Sequence, residues 1–233
     1  MNKMSSIADN IAGIKEKISN AALSCGRDPG EVKLVAVTKT VEPERIRNAI
    51  DAGLDCFGEN YIQEAREKIE ALADADVSWH FIGHLQSNKA KYAAGLFDLI
   101  HSVDSLKLAR EIDRQAARRG LVQNILVQVN VGRDSQKSGV DEEAAADLVR
   151  DAAGLEHVRV RGLMTMPPFF DAPEKVRPYF RQLAQLRNRI AAKNISGAEM
   201  KELSMGMTGD FKVAIAEGAT LVRIGTAIFG ERT

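Results

Sequence analysis

The chain carries no net charge, almost no cysteine and no long hydrophobic run, and each absence removes a class of function. Across 233 residues, 32 Lys and Arg balance 32 Asp and Glu, so no global field draws the protein to nucleic acid or to an anionic membrane surface. The two cysteines, Cys25 and Cys56, stand in neither a C-x-x-C nor a framework spacing. That argues against a disulfide scaffold and suits free thiols in a reducing compartment. The opening MNKMSSIADNIAGIKEK lacks the apolar core of a secretory signal, and no later run approaches the roughly 18 apolar residues of a membrane helix. A soluble, cytoplasmic protein is expected. Internal repeats and low-complexity tracts are missing too. The turn after the first apolar run reads TKTVEPE, without the spaced glycines by which a doubly wound sheet binds a dinucleotide.

What is present is a regular alternation. Ile7, Ile11, Ile14 and Ile18 fall on one helical stripe, with Ser5 or Ser6 as cap and Gly26 and Asp28-Pro29-Gly30 as the stop. Pro43 then opens a segment with Ile46 and Ile50 on one face and Gly53 at its end. From VKLVAVTK to LVRIGTAIFG, eight short apolar runs follow one another, and a helical segment follows each of the first seven, SNKAKYAAG after the third among them. Strict βα alternation predicts parallel strands joined by right-handed crossovers. At 45% hydrophobic residues and this length, the expected fold is α/β, a (β/α)8 TIM barrel in a single domain. Its expected parts are an N-terminal helix and turn over 1–30 and the barrel over 31–233.

In such a barrel the chemistry sits at the C-terminal ends of the strands. The stretch Val32–Thr40 runs apolar through Leu34, Val35, Ala36 and Val37 and then places Lys39 where the strand gives out. An ammonium is costly in a packed core unless it is paired or neutralised, which suggests a lysine at the mouth of a site. The loops after the seventh and eighth strands, LSMGMTGD and RIGTAIFG, offer Ser204, Gly206, Gly225 and Thr226, as a phosphate site there would require. Arg223 places a guanidinium inside the last apolar run, where it needs an acceptor. Asn60 and His80 are further polar groups near strand ends. His80 reads as a hydrogen-bonded structural histidine, and its spacing to His84 does not converge on a metal from a strand and its loop.

VAVTKT, FGENYIQE, WHFIGHLQSNK, QVNVGRDSQKSG, GLMTMPP, LSMGMTGDF and VRIGTAIFG together resemble, in order and over nearly the whole chain, the pyridoxal phosphate homeostasis proteins (YggS/PROSC family). That family is similar to the N-terminal domain of alanine racemase, the fold type III barrel. The resemblance implies pyridoxal 5'-phosphate (PLP) as cofactor, held as a Schiff base on Lys39. It also implies Asn60, Met164, Ser204, Gly206, Arg223, Gly225 and Thr226 around the cofactor, no catalytic residue and no metal. Gly209 stands where many relatives carry a polar residue. The implied function is to buffer PLP or deliver it, with PLP-dependent apoenzymes as recipients and a monomer as the working form.

Physical reasoning is consistent with those roles. A lysine near an arginine is held neutral by burial and by the neighbouring cation, which frees its amine to attack an aldehyde. An arginine opposite a pyridine nitrogen leaves that nitrogen unprotonated, so the ring is a weaker electron sink than one paired with a carboxylate. The competing expectation is a PLP-dependent amino-acid racemase, which shares the barrel, the lysine and the arginine. Racemisation needs a second acid/base on the far face of the substrate carbon, and Tyr61, Tyr92 and Tyr179 each fall in a predicted helix. A phosphosugar enzyme on the same barrel would leave Lys39 and Arg223 without a joint role. Lys137, in VGRDSQKSG after the fifth run, is expected on the same face as Lys39, where it could take PLP by exchange.

Overall fold

The computed structural model describes residues 6–134 and 137–230. Ser6 opens helix α1 (Ile7–Ser24): the Asp9 N–H donates to the Ser6 hydroxyl while the Ser6 N–H donates to the Asp9 carboxylate, a reciprocal capping box. The alternative cap, Ser5, lies outside the described residues. Ile11, Ile14 and Ile18 are buried along the predicted stripe, and Asp28 closes the following turn by accepting from the Gly30 N–H.

Eight strands then pair in sequence order into a closed parallel barrel: β1 (Lys33–Val37), β2 (Cys56–Glu59), β3 (Ser78–Phe81), β4 (Leu99–Val103), β5 (Gln123–Gln128), β6 (Val158–Met164), β7 (Ala198–Ser204) and β8 (Leu221–Ile224). Between them run α2 (Pro43–Asp51), α3 (Ile62–Ala71), α4 (Ala90–Ala93), α5 (Leu106–Ala117), α6 (Glu142–Ala153), α7 (Arg177–Ala191) and α8 (Phe211–Ala216). The (β/α)8 expectation holds. Most hydrophobic burial lies between the sheet and the helices. A second, smaller apolar group lies apart from it: Val35, Cys56, Leu99, Leu126, Met164 and Leu221, drawn from six strands, as the layered interior of such a barrel requires.

Two elements differ from expectation. The predicted helix over SNKAKYAAG is only a 3-10 turn (Ser87–Lys89) and the four residues of α4, because Gly95, in a left-handed conformation, turns the chain while its N–H donates to Gln123 Oε1. The final run does not stop as a strand but adds a short helix α9 (Thr226–Phe229). Four residues cannot cover the outside of the β8–β1 seam. Helix α1 supplies the missing cover, packing against α8, α9 and α2, with Asn10 Nδ2 donating to the Ile228 carbonyl at 3.0 Å. Among the described residues no helix is long and apolar enough to cross a membrane.

Candidate functional site

Strand β1 ends at Val37, so Lys39 sits two residues beyond it, half-buried in the loop at the barrel mouth. An ionic cluster below that loop holds it on both sides of the lysine. Lys68, buried on α3, donates to the Thr38 carbonyl and to Glu59 Oε1 at 2.8 Å, and it pairs with Glu64. The Thr38 hydroxyl donates to the same Glu59 oxygen at 2.6 Å, and the Thr40 N–H donates to Glu64. Thr40 has φ +62°, a left-handed conformation that a β-branched residue adopts only when its surroundings impose it. Burial raises the Glu59 carboxyl above its ordinary range, against the lowering pull of Lys68 and Thr38. Glu59, Glu64 and Lys68 had no signal in the sequence beyond a charged i,i+4 pair.

The neighbouring strand carries the arginine. Val35 of β1 lies in register with Arg223 of β8, so the lysine loop and the guanidinium rise from adjacent strands. Arg223 is buried; Nη1 donates to Ser204 Oγ at 2.6 Å, and Nη2 donates to the Thr165 carbonyl at 3.0 Å and lies 3.5 Å from Met166 Sδ. Among the described residues no carboxylate is within ion-pairing distance of it, and burial lowers its pKa to about 10. Ser204 and Met164 are buried as the last residues of β7 and β6. Gly206 has φ +92°, and a Cβ there would lie 2.5 Å from that of Ala214, so only glycine allows this turn. Gly225 presses against the Val37 carbonyl, and Thr226 opens α9 exposed to solvent. Asn60 follows β2. Gly83 packs so closely on its backbone that a Cβ would sit 2.2 Å from the Asn60 carbonyl, and among the described residues the buried Asn60 Oδ1 has no hydrogen-bond partner.

His80 is hydrogen-bonded, as expected, but its partner was not foreseen. Its Nδ1 meets His101 Nε2 at 3.0 Å, and His101 Nδ1 meets Ser204 Oγ at 2.8 Å. Both rings are buried, and burial drives their pKa values down, that of His80 to about 4. Cys56 Sγ lies 3.6 Å from His80 Nε2, and burial pushes its thiol up to about 12. His101 lies in an apolar run, FDLIHSVD, whose period carries no mark of which way a lone histidine faces.

The remaining candidates lie farther out. His84 is exposed and paired with Ser138 Oγ, away from His80, and among the described residues no group of three His, Cys, Asp or Glu could hold a metal. Lys137 donates to the Pro167 carbonyl at 2.8 Å, which ties two mouth loops together. Tyr61 is not within a helix as predicted: it is the N-cap of α3, with extended backbone, just before the first helical residue. Tyr92 lies in α4, and Tyr179 in α7 stacks on Phe170. Together the mouth offers an amine, a donor-only cation with no carboxylate within ion-pairing distance among the described residues and only Asp210 acting on it from farther off, an unsatisfied amide oxygen and a glycine-bounded helix start. That donor set fits an aromatic aldehyde carrying a ring acceptor and an anionic group.

Comparison with known proteins agrees with this geometry. Residues 4–233 match the family described as "Alanine racemase, N-terminal domain". The chain is 47% identical over 225 residues to the pyridoxal phosphate homeostasis protein of Aquifex aeolicus, covering 96% of this chain and 97% of that one. It superposes on PipY of Synechococcus elongatus, solved with PLP bound, with a TM-score of 0.84 and 36% identity, covering 97% of this chain and 100% of that one. Alanine racemase from Corynebacterium glutamicum shares the fold, with a TM-score of 0.70 at 19% identity; the match covers 97% of this chain but only 62% of the racemase. A barrel of this topology, matched from end to end by proteins of one name, places the chain in the alanine racemase N-terminal domain family and, within it, among the pyridoxal phosphate homeostasis proteins.

Proposed function

We propose that the chain binds PLP at the barrel mouth and serves its homeostasis as a carrier rather than as an enzyme. The observation that carries this reading is the pairing, on adjacent strands, of a half-buried lysine with a buried arginine that has no carboxylate partner. When bound, PLP supplies a reactive aldehyde on an electron-withdrawing ring. Lys39 would hold the aldehyde carbon through a reversible bond from its amine, with water leaving on capture and returning on release. Arg223 keeps its protons and can only donate, so it orients a ring acceptor without protonating it. Asn60 Oδ1 is an acceptor waiting for a donor. Met164, Ser204, Gly206, Gly225 and Thr226 complete the proposed site, the last three at the loops where this fold binds phosphate.

The racemase reading asks for a second acid/base facing the substrate carbon. Tyr179 is engaged with Phe170, which supports the carrier; Tyr61 and Tyr92 line a cavity together with Asn60. We take residues 1–233 as one PLP-binding unit that acts as a cytoplasmic monomer and hands PLP to apoenzymes, with exchange onto Lys137 as the exit route. Borohydride reduction of the PLP-loaded protein and peptide mapping test this. The expected outcome is a visible absorption band, bleached on reduction, with the label on Lys39 and a minor adduct on Lys137 that grows in Lys39→Ala. A folded protein that forms no reducible chromophore overturns the cofactor assignment, and a main label elsewhere overturns the site. Labelling that scatters over surface lysines in Lys39→Ala removes Lys137 from the route.

A further inference from the structure

A file of buried polar side chains crosses the barrel interior below the mouth, and neither the proposed cofactor contacts nor the apolar core accounts for it. From the site downward it runs Arg223, Ser204, His101, His80, Cys56, with contacts of 2.6, 2.8, 3.0 and 3.6 Å. His101 and Ser204 are fully buried and His80 nearly so. Such a file persists in a core only when every member is satisfied.

Arg223 can only donate, so Ser204 Oγ accepts from Nη1. With the Ser204 proton turned away from the guanidinium, the hydroxyl donates to His101 Nδ1. A neutral imidazole that accepts at Nδ1 carries its proton on Nε2, so His101 donates to His80 Nδ1, and His80 in turn carries its proton on Nε2; the Cys56 sulfur packs 3.6 Å from that nitrogen and 3.7 Å from Nδ1. All the protons point away from the mouth. The opposite order, from Cys56 through His80 and His101 to Ser204, would put both ring protons on Nδ1, so the ring tautomers distinguish the two.

We propose that His101, backed by His80, is a positioning residue for Arg223: acting through Ser204, the tautomer-locked relay fixes the guanidinium in the mouth with neutral acceptors only. A carboxylate would orient the arginine equally well but would neutralise it. Ser204 and the Thr165 carbonyl occupy one N–H of each terminal nitrogen, and with Asp210 acting on the guanidinium only from beyond ion-pairing distance, its charge stays available to a ligand. The consequence for a ring nitrogen rests on the PLP reading; the relay itself belongs to the ligand-free protein and is tested there.

Nitrogen-15 NMR of the histidine rings in ligand-free protein at neutral pH should show His101 and His80 both neutral, with the proton on Nε2. Either ring protonated on Nδ1, or doubly protonated, overturns the relay whatever PLP does. His101→Phe keeps the bulk and removes the acceptor. The side-chain N–H signals of Arg223 should then exchange with water at least tenfold faster, and in PLP-loaded protein the visible band should shift. His101→Gln, which can accept from Ser204 and donate to His80, should restore both signals towards wild type. An Arg223 exchange rate in folded His101→Phe equal to wild type overturns the positioning role. If His101→Phe does not fold, exchange in His101→Gln within threefold of wild type, against tenfold acceleration in Ser204→Ala, supports the role, and any other pattern overturns it.

Discussion

Arg223 and the two histidines behind it show how a barrel interior decides what a polar side chain can be. Water would leave each imidazole near half-protonated close to its ordinary pKa of about 6.5. Inside the barrel, desolvation lowers the His80 pKa to about 4 and that of His101 well below its ordinary value, so both are neutral at pH 7 and can alternate acceptor and donor. The linkage has a definite sign. Unfolded His80 binds its proton near pH 6.5 and folded His80 only near 4, so stability is intact above 6.5 and falls as the pH drops towards 4. His80 alone accounts for a loss of about 3 kcal/mol over that window. Urea denaturation at pH 7.5 and 4.5 should show it, and His80→Gln should lose markedly less between the two pH values. At the mouth, Lys39→Ala should remove the main borohydride-reducible label, leaving only the adduct on Lys137, and should leave unfolding free energy within about 1 kcal/mol, because a half-buried loop side chain contributes little to the core.

Elements, rather than single residues, hold the lysine loop in place. Strand β2 ends on Glu59, helix α3 faces it with Glu64 and Lys68, and the loop after β1 lies across both. Two carboxylates and one ammonium meet in a nearly dry pocket, so removing the ammonium leaves Glu59 buried without its cation, to be held as a bare charge or protonated, with its second oxygen already unsatisfied. Lys68→Met should cost about 3–5 kcal/mol by chemical denaturation, and it should slow capture of free pyridoxal by Lys39 in the variant that remains folded. Helix α1 depends on its first turn in the same way. Ser6→Ala removes the hydroxyl half of the capping box, keeping the Ser6 N–H bond to Asp9, and should lower stability by about 1 kcal/mol.

The molecule as a whole closes its barrel with unequal helices, and α1 is what makes the closure complete. With α9 only four residues long, α1 packs against α8, α9 and α2, the helices flanking the β8–β1 seam, and buries Ile11, Ile14 and Ile18. Deleting residues 1–26 exposes that seam and the apolar faces of α8 and α9. The truncated chain should bind a hydrophobic dye and lose its single cooperative thermal transition, whereas the full chain unfolds in one step. Retention of one sharp transition with no dye binding would show that the barrel closes without α1.

Local spacing was enough to determine the alternation of strands and helices, the isoleucine stripe of α1, and the placement of Lys39, Ser204, Gly206, Gly225 and Thr226 at strand ends, because periodicity and turn chemistry act over a few residues. The apolar run around Arg223 was enough to mark it as a group in need of an acceptor. Which acceptor it found was settled only when eight strands closed into a ring: Ser204 is 19 residues from Arg223 and His101 is 103 from Ser204, and no local pattern couples positions so far apart. The same closure turned Lys68 and Glu59 inward beneath the loop of a lysine some thirty residues earlier. A strand's period tells which residues share a face, but the contents of the enclosed space depend on every strand at once, and that is decided by tertiary structure alone.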